Sequence, residues 1–288
     1  MKKWNLIIDV AKCENCNNCA LAVKDEYIGN EFPGYAAPMP RHGHDWISIV
    51  RTVRGSGSMV DAAYRPTTCN HCDNAPCITA GRGAVRKRDD GIVIIDPTAA
   101  RGRRDLVESC PYGMIWWNEE LELPQHWIFD AHLLDQGWKQ TRGGHACPTG
   151  AMRAVQADDA EMAEMARERG LEVLRPELGT RPRVYYQNLY RFDKCFVGGS
   201  VIGQVNGSTE CISGAQVRLN KDSRLIAEAS TDIFGDFKFD RLDPNSGRYR
   251  VEVSHPANGA ATIDVDVTES VYAGSIMLEK SGARQAGN

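Results

Sequence analysis

No apolar run in this chain of 288 residues approaches the ~20 needed to cross a bilayer as a helix. The opening Met1-Lys2-Lys3-Trp4 passes into a strand-like stretch with neither a signal-peptide core nor a twin-arginine leader. A cytoplasmic protein is therefore expected, unless a partner with its own export signal carries it elsewhere. An excess of one charge is also lacking: 34 Lys and Arg stand against 38 Asp and Glu, a net −4. Nucleic acid calls for a concentrated basic face. The only candidate, Arg101-Gly102-Arg103-Arg104, reads better as a solvated helix face. Gly-x-Ser-x-Gly, His-Glu-x-x-His and phosphate-loop signatures are all missing, so no independent catalytic constellation is expected. Ten cysteines are too few and too clustered for a secreted disulfide scaffold, and in a reducing compartment such clusters favour metal.

What is present begins with Cys13, Cys16 and Cys19, at three-residue spacing just after the apolar run 4–10. In ferredoxins such a triplet takes its fourth thiolate from a remote cysteine, typically one before proline. Two Cys-Pro pairs exist, Cys110-Pro111 and Cys147-Pro148, and a second ligand run holds Cys69, Cys72 and Cys77. Because a run's remote ligand comes from the other half of a pseudo-symmetric pair, Cys13, Cys16, Cys19 and Cys147 are assigned to one [4Fe-4S] cluster. Cys69, Cys72, Cys77 and Cys110 form the other. Zinc is the alternative, though structural zinc usually closes its site with two cysteine or histidine pairs. Cys195 and Cys211 are left over and are expected as buried free thiols, with a disulfide the lesser reading.

The order of elements supports that sorting. Strand 4–10, a helix after Cys19, a hairpin across Asp89-Asp90-Gly91, a helix over 99–109, and strands at 114–117 and 151–155 repeat one half-unit: ligand run, helix, Cys-Pro, strand. Residues 29–66, rich in Pro and Gly, read as an irregular insertion that is functional or pinned by a partner. His42 and His44 within it are taken as surface or hydrogen-bonding residues rather than metal ligands. A helix over 158–169 has Asp158 as N-cap, acids early, arginines late and Gly170 as its stop. An aromatic arm follows over 180–192, packed on its own domain or tying two subunits together. After residue 196, seven short alternating strands, at 200–205, 215–219, 225–230, 236–239, 249–253, 262–267 and 274–278, indicate a small β-sandwich. The expected domains are an iron–sulfur domain over 1–157, helix and arm over 158–195, a sandwich over 196–280 and a frayed tail over 281–288.

The ligand pattern, with Asn74-Ala75-Pro76-Cys77 and Cys110-Pro111-Tyr112-Gly113, resembles the iron–sulfur β-subunits of the dimethyl-sulfoxide-reductase superfamily. Ile8-Asp9-Val10-Ala11-Lys12-Cys13, residues 91–97, residues 176–180 with 183–186, and Phe234-Gly235-Asp236-Phe237-Lys238-Phe239 are similar to the small subunits of pyrogallol–phloroglucinol transhydroxylases and resorcinol-type hydroxylases. The resemblance implies an α+β ferredoxin-type domain followed by a small all-β sandwich of the transthyretin-like or Cna-B-like kind. It also implies a large catalytic partner subunit, in a heterodimer or higher assembly, holding molybdopterin guanine dinucleotide with molybdenum or tungsten and acting on polyhydroxylated aromatics. The cluster of Cys13 would sit nearest that cofactor. Alternatives are the β-subunit of another molybdopterin oxidoreductase, for a sulfoxide or an oxyanion, and an interaction scaffold whose clusters are purely structural.

This chain departs from the full family pattern in complete sets. Val23, Trp127, Asp130 and Gly143 stand where one cluster's cysteines would be. Gly81 and the cysteine-free segment 99–109 mark the loss of another. The link between the two retained clusters is the one removed, so at least the outer cluster is expected to be partly structural. That suits a transhydroxylase, which exports no net electrons.

Overall fold

The computed structural model describes residues 1–279, so the tail expected over 281–288 lies outside the described residues. The chain divides into two compact units, Met1–Arg51 with Ala63–Leu189, and Thr52–Ala62 with the chain from Tyr190 onward. Through Leu189 the helix and arm thus belong with the cysteine-bearing unit.

In chain order the first unit begins with β1 (Lys3–Asp9), α1 (Asn18–Tyr27), β2 (Ile47–Ser56), β3 (Met59–Thr68), α2 (Pro76–Gly81), β4 (Val85–Lys87) and β5 (Val93–Ile95). It continues with α3 (Asp105–Glu108), β6 (Trp116–Asn118), β7 (Leu123–Gln125), α4 (Ala131–Asp135), α5 (Arg142–Ala146), β8 (Met152–Ala157), α6 (Asp159–Arg169) and β9 (Val184–Gln187). Every residue of β1 after Lys3 is buried, as befits a strand with neighbours on both edges and cover on both faces. It pairs antiparallel with β8 and parallel with β9, with Leu6 opposite both Ala154 and Val184. The aromatic arm therefore supplies a sheet strand, and the Tyr186 hydroxyl donates to the carbonyl of Pro66 at 3.0 Å. Helix α6 carries the expected reciprocal cap between Asp158 and Glu161, and Gly170 ends it in the left-handed region. Its buried Met162 packs on Ile7 and Ala157.

Two readings from sequence are corrected. The insertion 29–66 is not irregular throughout: β2 and β3 pair as a hairpin, because three of its four prolines and most glycines precede Ile47 and the β-branched run from Ile47 to Val53 is free to extend. The helix expected over 99–109 shrinks to Asp105–Glu108, since Gly102 takes φ 74 and turns its N–H to the carbonyl of Glu122. The basic cluster there forms no helix face; Arg103 pairs with Asp105 and Arg104 with Glu119.

The second unit adds α7 (Tyr190–Asp193), β10 (Cys195–Val205), β11 (Ser208–Cys211), β12 (Gln216–Lys221), β13 (Arg224–Ser230), β14 (Asp236–Leu242), β15 (Gly247–His255), β16 (Gly259–Val267) and β17 (Val271–Met277). All seven strands expected from alternation are found, and β11 is an eighth. One sheet pairs β10 with β11, β14 and β17; the other runs β13-β12-β15-β16. A single core joins Val197, Val201 and Phe237 of the first sheet to Val217, Val251 and Val265 of the second. Along β15, Tyr249, Val251 and Val253 face inward while Arg250 and Glu252 face out, the two-residue period of a strand covered on one face.

The tip of the β2–β3 hairpin belongs to this unit. Arg54 is 8% exposed and its guanidinium spans Asp61 and Asp240, each at 2.7 Å, and donates to the carbonyl of Lys194 at 3.1 Å. Arg191 also pairs with Asp61. Burial pushes the Asp61 carboxyl up, but the guanidinium groups of Arg191 and Arg54 outweigh it and hold its pKa at about 2. Gly55 is required at φ 87, where a Cβ would lie 2.3 Å from the carbonyl oxygen of Met59 and 2.4 Å from the Phe196 ring.

Candidate metal centres

The second ligand run is positioned by buried charge. Arg183 is 3% exposed and grips both carboxylate oxygens of Asp73 at 2.8 and 2.7 Å, while reaching Asn5 of β1 and Asp159 of α6. The amides of Asp73 and Asn74 donate to the carbonyls of Arg181 and Thr180, each at 2.9 Å. Lys87 adds three donor contacts, to the carbonyls of His71, Cys72 and Gly91, and pairs with Asp73. So bound, the loop directs Cys69, Cys72 and Cys77 into a cavity that Cys110 also lines. The Met114 amide donates to Cys110 Sγ at 3.4 Å.

Burial pushes the Cys69 thiol well up, and the charges of Cys110 and Cys77 push it further. Burial and Cys110 raise Cys77 to about 12; burial raises Cys72 to about 11, against a hydroxyl contact from Thr180. Three thiols that resist ionisation through burial and the charge of their neighbours, Cys69, Cys72 and Cys77, belong to a donor set that a cationic metal core relieves.

The first ligand run leaves β1 through a turn held by Asp9, whose carboxylate accepts from the amide of Ala11 and from Asn188 Nδ2 at 3.0 and 2.8 Å. Asn15 and Asn17 sit at φ 57 and 60, conformations asparagine tolerates better than most side chains, and curl the run that carries Cys13, Cys16 and Cys19. Cys147 arrives from the end of α5, whose Thr141 cap accepts the Gly144 amide at 3.1 Å. The four thiols act on one another electrostatically: burial chiefly raises Cys19 to about 11, with Cys13, Cys147 and Cys16 adding to it. Cys147 differs: burial raises its thiol, but backbone contacts at Met152, Ala151 and Thr149 prevail and lower it. Cys16 is exposed, so this set is the more open of the two.

Cys69, Cys72, Cys77 and Cys110 thus line one cavity, and Cys13, Cys16, Cys19 and Cys147 lie within electrostatic reach of one another. Cys195 and Cys211 are free thiols, the first buried as expected, the second exposed because it ends the edge strand β11. His42 is exposed, and the buried His44 contacts the carbonyl of Trp117 at 3.0 Å, apart from either group.

Positions that depart from the wider cysteine pattern are packed solid. Asp130, fully buried, accepts from Tyr27 Oη at 2.7 Å, Trp127 Nε1 at 2.9 Å and the amide of Arg142 at 2.7 Å. Burial raises its pKa against the pull of those donors. Trp127 stacks on Phe129 with centroids 5.0 Å apart, Val23 is buried, and a Cβ on Gly143 would lie 3.3 Å from Cys19 Cβ. Side chains fill this region, and Asp130 serves three internal donors rather than a metal.

Sequence reasoning missed the company of Cys69. Its Sγ and one ring nitrogen from each of His71 and His126 all lie within 4.8 Å of one another. His71 was visible inside the ligand run; His126, more than fifty residues on, carried no signal. Arg183, Lys87 and Asp73 were likewise unmarked.

The model of the 4Fe-4S dicluster domain family matches residues 60–157. The pyrogallol hydroxytransferase small subunit of Pelobacter acidigallici is 45% identical over 283 residues, spanning 96% of this chain and 100% of that one. A tetrathionate reductase subunit of Salmonella typhimurium is 28% identical, spanning 68% of this chain and 75% of its own. The arsenate respiratory reductase iron-sulfur subunit of a Shewanella species is 26% identical, spanning 80% and 93%. Among the described residues no helix is long and apolar enough to cross a membrane. With identity at that level over nearly its whole length, the chain belongs to the family of the pyrogallol hydroxytransferase small subunit, among the iron–sulfur β-subunits of the dimethyl-sulfoxide-reductase superfamily.

Proposed function

We propose that this chain is the non-catalytic iron–sulfur subunit of a cytoplasmic molybdenum- or tungsten-pterin enzyme that hydroxylates, or transfers hydroxyl groups between, polyhydroxylated aromatics. Catalysis belongs to a large partner subunit. Cys13, Cys16, Cys19 and Cys147 hold one [4Fe-4S] cluster, and Cys69, Cys72, Cys77 and Cys110 the other; when bound, the clusters supply one-electron storage and transfer. The observation that carries the reading is that eight thiols fall into two quartets, one lining a common cavity and the other within electrostatic reach, each a triplet with one cysteine that precedes proline. The more open first quartet, with Cys16 exposed, suits the face turned to the partner's cofactor. Arg183, Lys87 and Asp73 hold the second ligand loop and keep water from its thiols. We read the architecture as a ferredoxin-type domain followed by a transthyretin-like or Cna-B-like sandwich.

The relation to the pyrogallol enzyme's small subunit spans 96% of the chain, sandwich included, against 68% for the tetrathionate reductase relative, and this favours the aromatic substrate over an oxyanion. The test is iron and acid-labile sulfide on anaerobically copurified protein, with EPR-monitored titration and mass spectrometry of what copurifies. About eight iron and eight sulfide per chain, together with a large pterin-bearing partner whose aromatic substrate reduces the complex, is the expected result. Zinc without sulfide, or no such partner, overturns it.

A further inference from the structure

The cavity of the second quartet is lined by two histidines, His71 and His126. The Val93 amide donates into His71 Nδ1 at 3.1 Å, so that nitrogen carries no proton. With Nδ1 accepting, the ring proton sits on Nε2. His71 Nε2 and both ring nitrogens of His126 are buried and have no hydrogen-bond partner in the chain. Whatever its protonation state, the His126 ring carries at least one N–H. Buried ring nitrogens are rarely left unpaired. One ring nitrogen of each histidine lies within 4.8 Å of the Cys69 sulfur, in a cavity lined by four thiols.

We propose that His71, through Nε2–H, and His126, through a ring N–H, donate hydrogen bonds to sulfur of the cluster held by Cys69, Cys72, Cys77 and Cys110 and thereby raise its reduction potential. The inference rests on the reading above that this quartet holds a cluster. Reduction adds negative charge to the cluster, and a donor to sulfur stabilises the more negative state more strongly, so the sign is upward. Neither histidine is a ligand: four thiolates complete the set, and a protonated Nε2 cannot bind metal. Nothing equivalent stands beside the first quartet among the described residues, where the grouping of cysteine with two histidines does not recur.

The test uses the anaerobically purified complex and three variants, His71→Leu, His71→Gln and His126→Leu. Iron and sulfide are measured first; fewer than two clusters in the unaltered protein defeats the cluster reading itself, separately from this one. With both clusters present, His71→Leu is expected to lower one midpoint by the equivalent of about tenfold in the reduction equilibrium, ~59 mV for a one-electron couple. The other midpoint stays put. His71→Gln, which keeps an N–H at the Nε2 position, restores most of the shift, and pulsed EPR in D2O shows an exchangeable proton coupled to the cluster that the leucine variant loses. Should leucine fail to fold at the positive φ of residue 71, His126→Leu carries the same test at an ordinary backbone position. Full clusters with unchanged midpoints in the leucine variants, equal shifts in both clusters, or stoichiometric zinc bound through the histidines would each overturn the proposal.

Discussion

Asp130 offers a demanding test of the packed region, because three donors depend on its two oxygens. Oδ1 accepts from Tyr27 and Trp127, and Oδ2 from the Arg142 amide that opens α5. Asp130→Ala leaves all three buried donors without an acceptor, at about 1–3 kcal/mol each before relaxation, so a total of about 3–6 kcal/mol is expected. Asp130→Asn keeps Oδ1 for two of them and sets an amide donor against Arg142 N–H, one conflict rather than three, at about 1–3 kcal/mol. These losses are large beside the 5–15 kcal/mol typical of a whole domain. Hydrogen exchange of the Arg142 amide gives the local readout: loss of a bond to a charged acceptor speeds exchange through local opening by roughly 10- to 100-fold in Asp130→Ala. A double-mutant cycle completes it. Tyr27→Phe costs about 1.5–3 kcal/mol in the parent but close to nothing after Asp130→Ala, when the hydroxyl no longer has its carboxylate. A cost below about 1 kcal/mol for Asp130→Ala, or equal effects of the alanine and asparagine variants, would refute the reasoning.

Three further outcomes are expected. Cys147→Ser should lower iron from about eight to about four per chain and weaken assembly with the large subunit; unchanged iron content would show that the quartets are wrongly sorted. Gly55→Ala should destabilise the sandwich unit by about 2–4 kcal/mol, since the methyl meets a carbonyl oxygen at 2.3 Å in a left-handed backbone, and thermal unfolding of the variant measures it. Asp61, depressed from 3.8 to about 2, contributes about 2 kcal/mol that is fully present above pH 4 and disappears as pH falls toward 2. Acid titration of Asp61→Asn should lack that component, and an identical acid profile would remove the ion-pair account.

Much of this molecule is legible because its signals are local. Cys13, Cys16 and Cys19 need only three-residue spacing, α6 announces itself through Asp158, Glu161 and Gly170 within one short stretch, and β15 shows its inward face by alternation. The failures share another property. Burying Arg183 depends on Asp73, 110 positions away, and burying Arg54 depends on Asp240, 186 away, so neither could be recognised as an organiser before the chain was folded. Gly102 interrupts a helical pattern at one residue, and a propensity summed over 99–109 passes over it. In residues 29–66 the glycines and prolines are unevenly placed, and composition alone conceals a ten-residue strand starting at Ile47. His126 has meaning only through its distance to Cys69.

The hairpin whose tip lies in the second unit also imposes an order on synthesis. Residues 52–62 emerge from the ribosome long before α7 and β14, whose Arg191 and Asp240 they engage. At about 5–20 residues per second, the 186 positions between Arg54 and Asp240 correspond to roughly 10–40 s. Within that interval Arg191 and Lys194 reach Asp61 and Arg54 before Asp240 does, while the strands that will receive the hairpin tip are still being made. The nascent chain thus completes its second unit by returning to a segment made near its beginning, and a version lacking everything after Leu189 would leave that segment permanently without its seat.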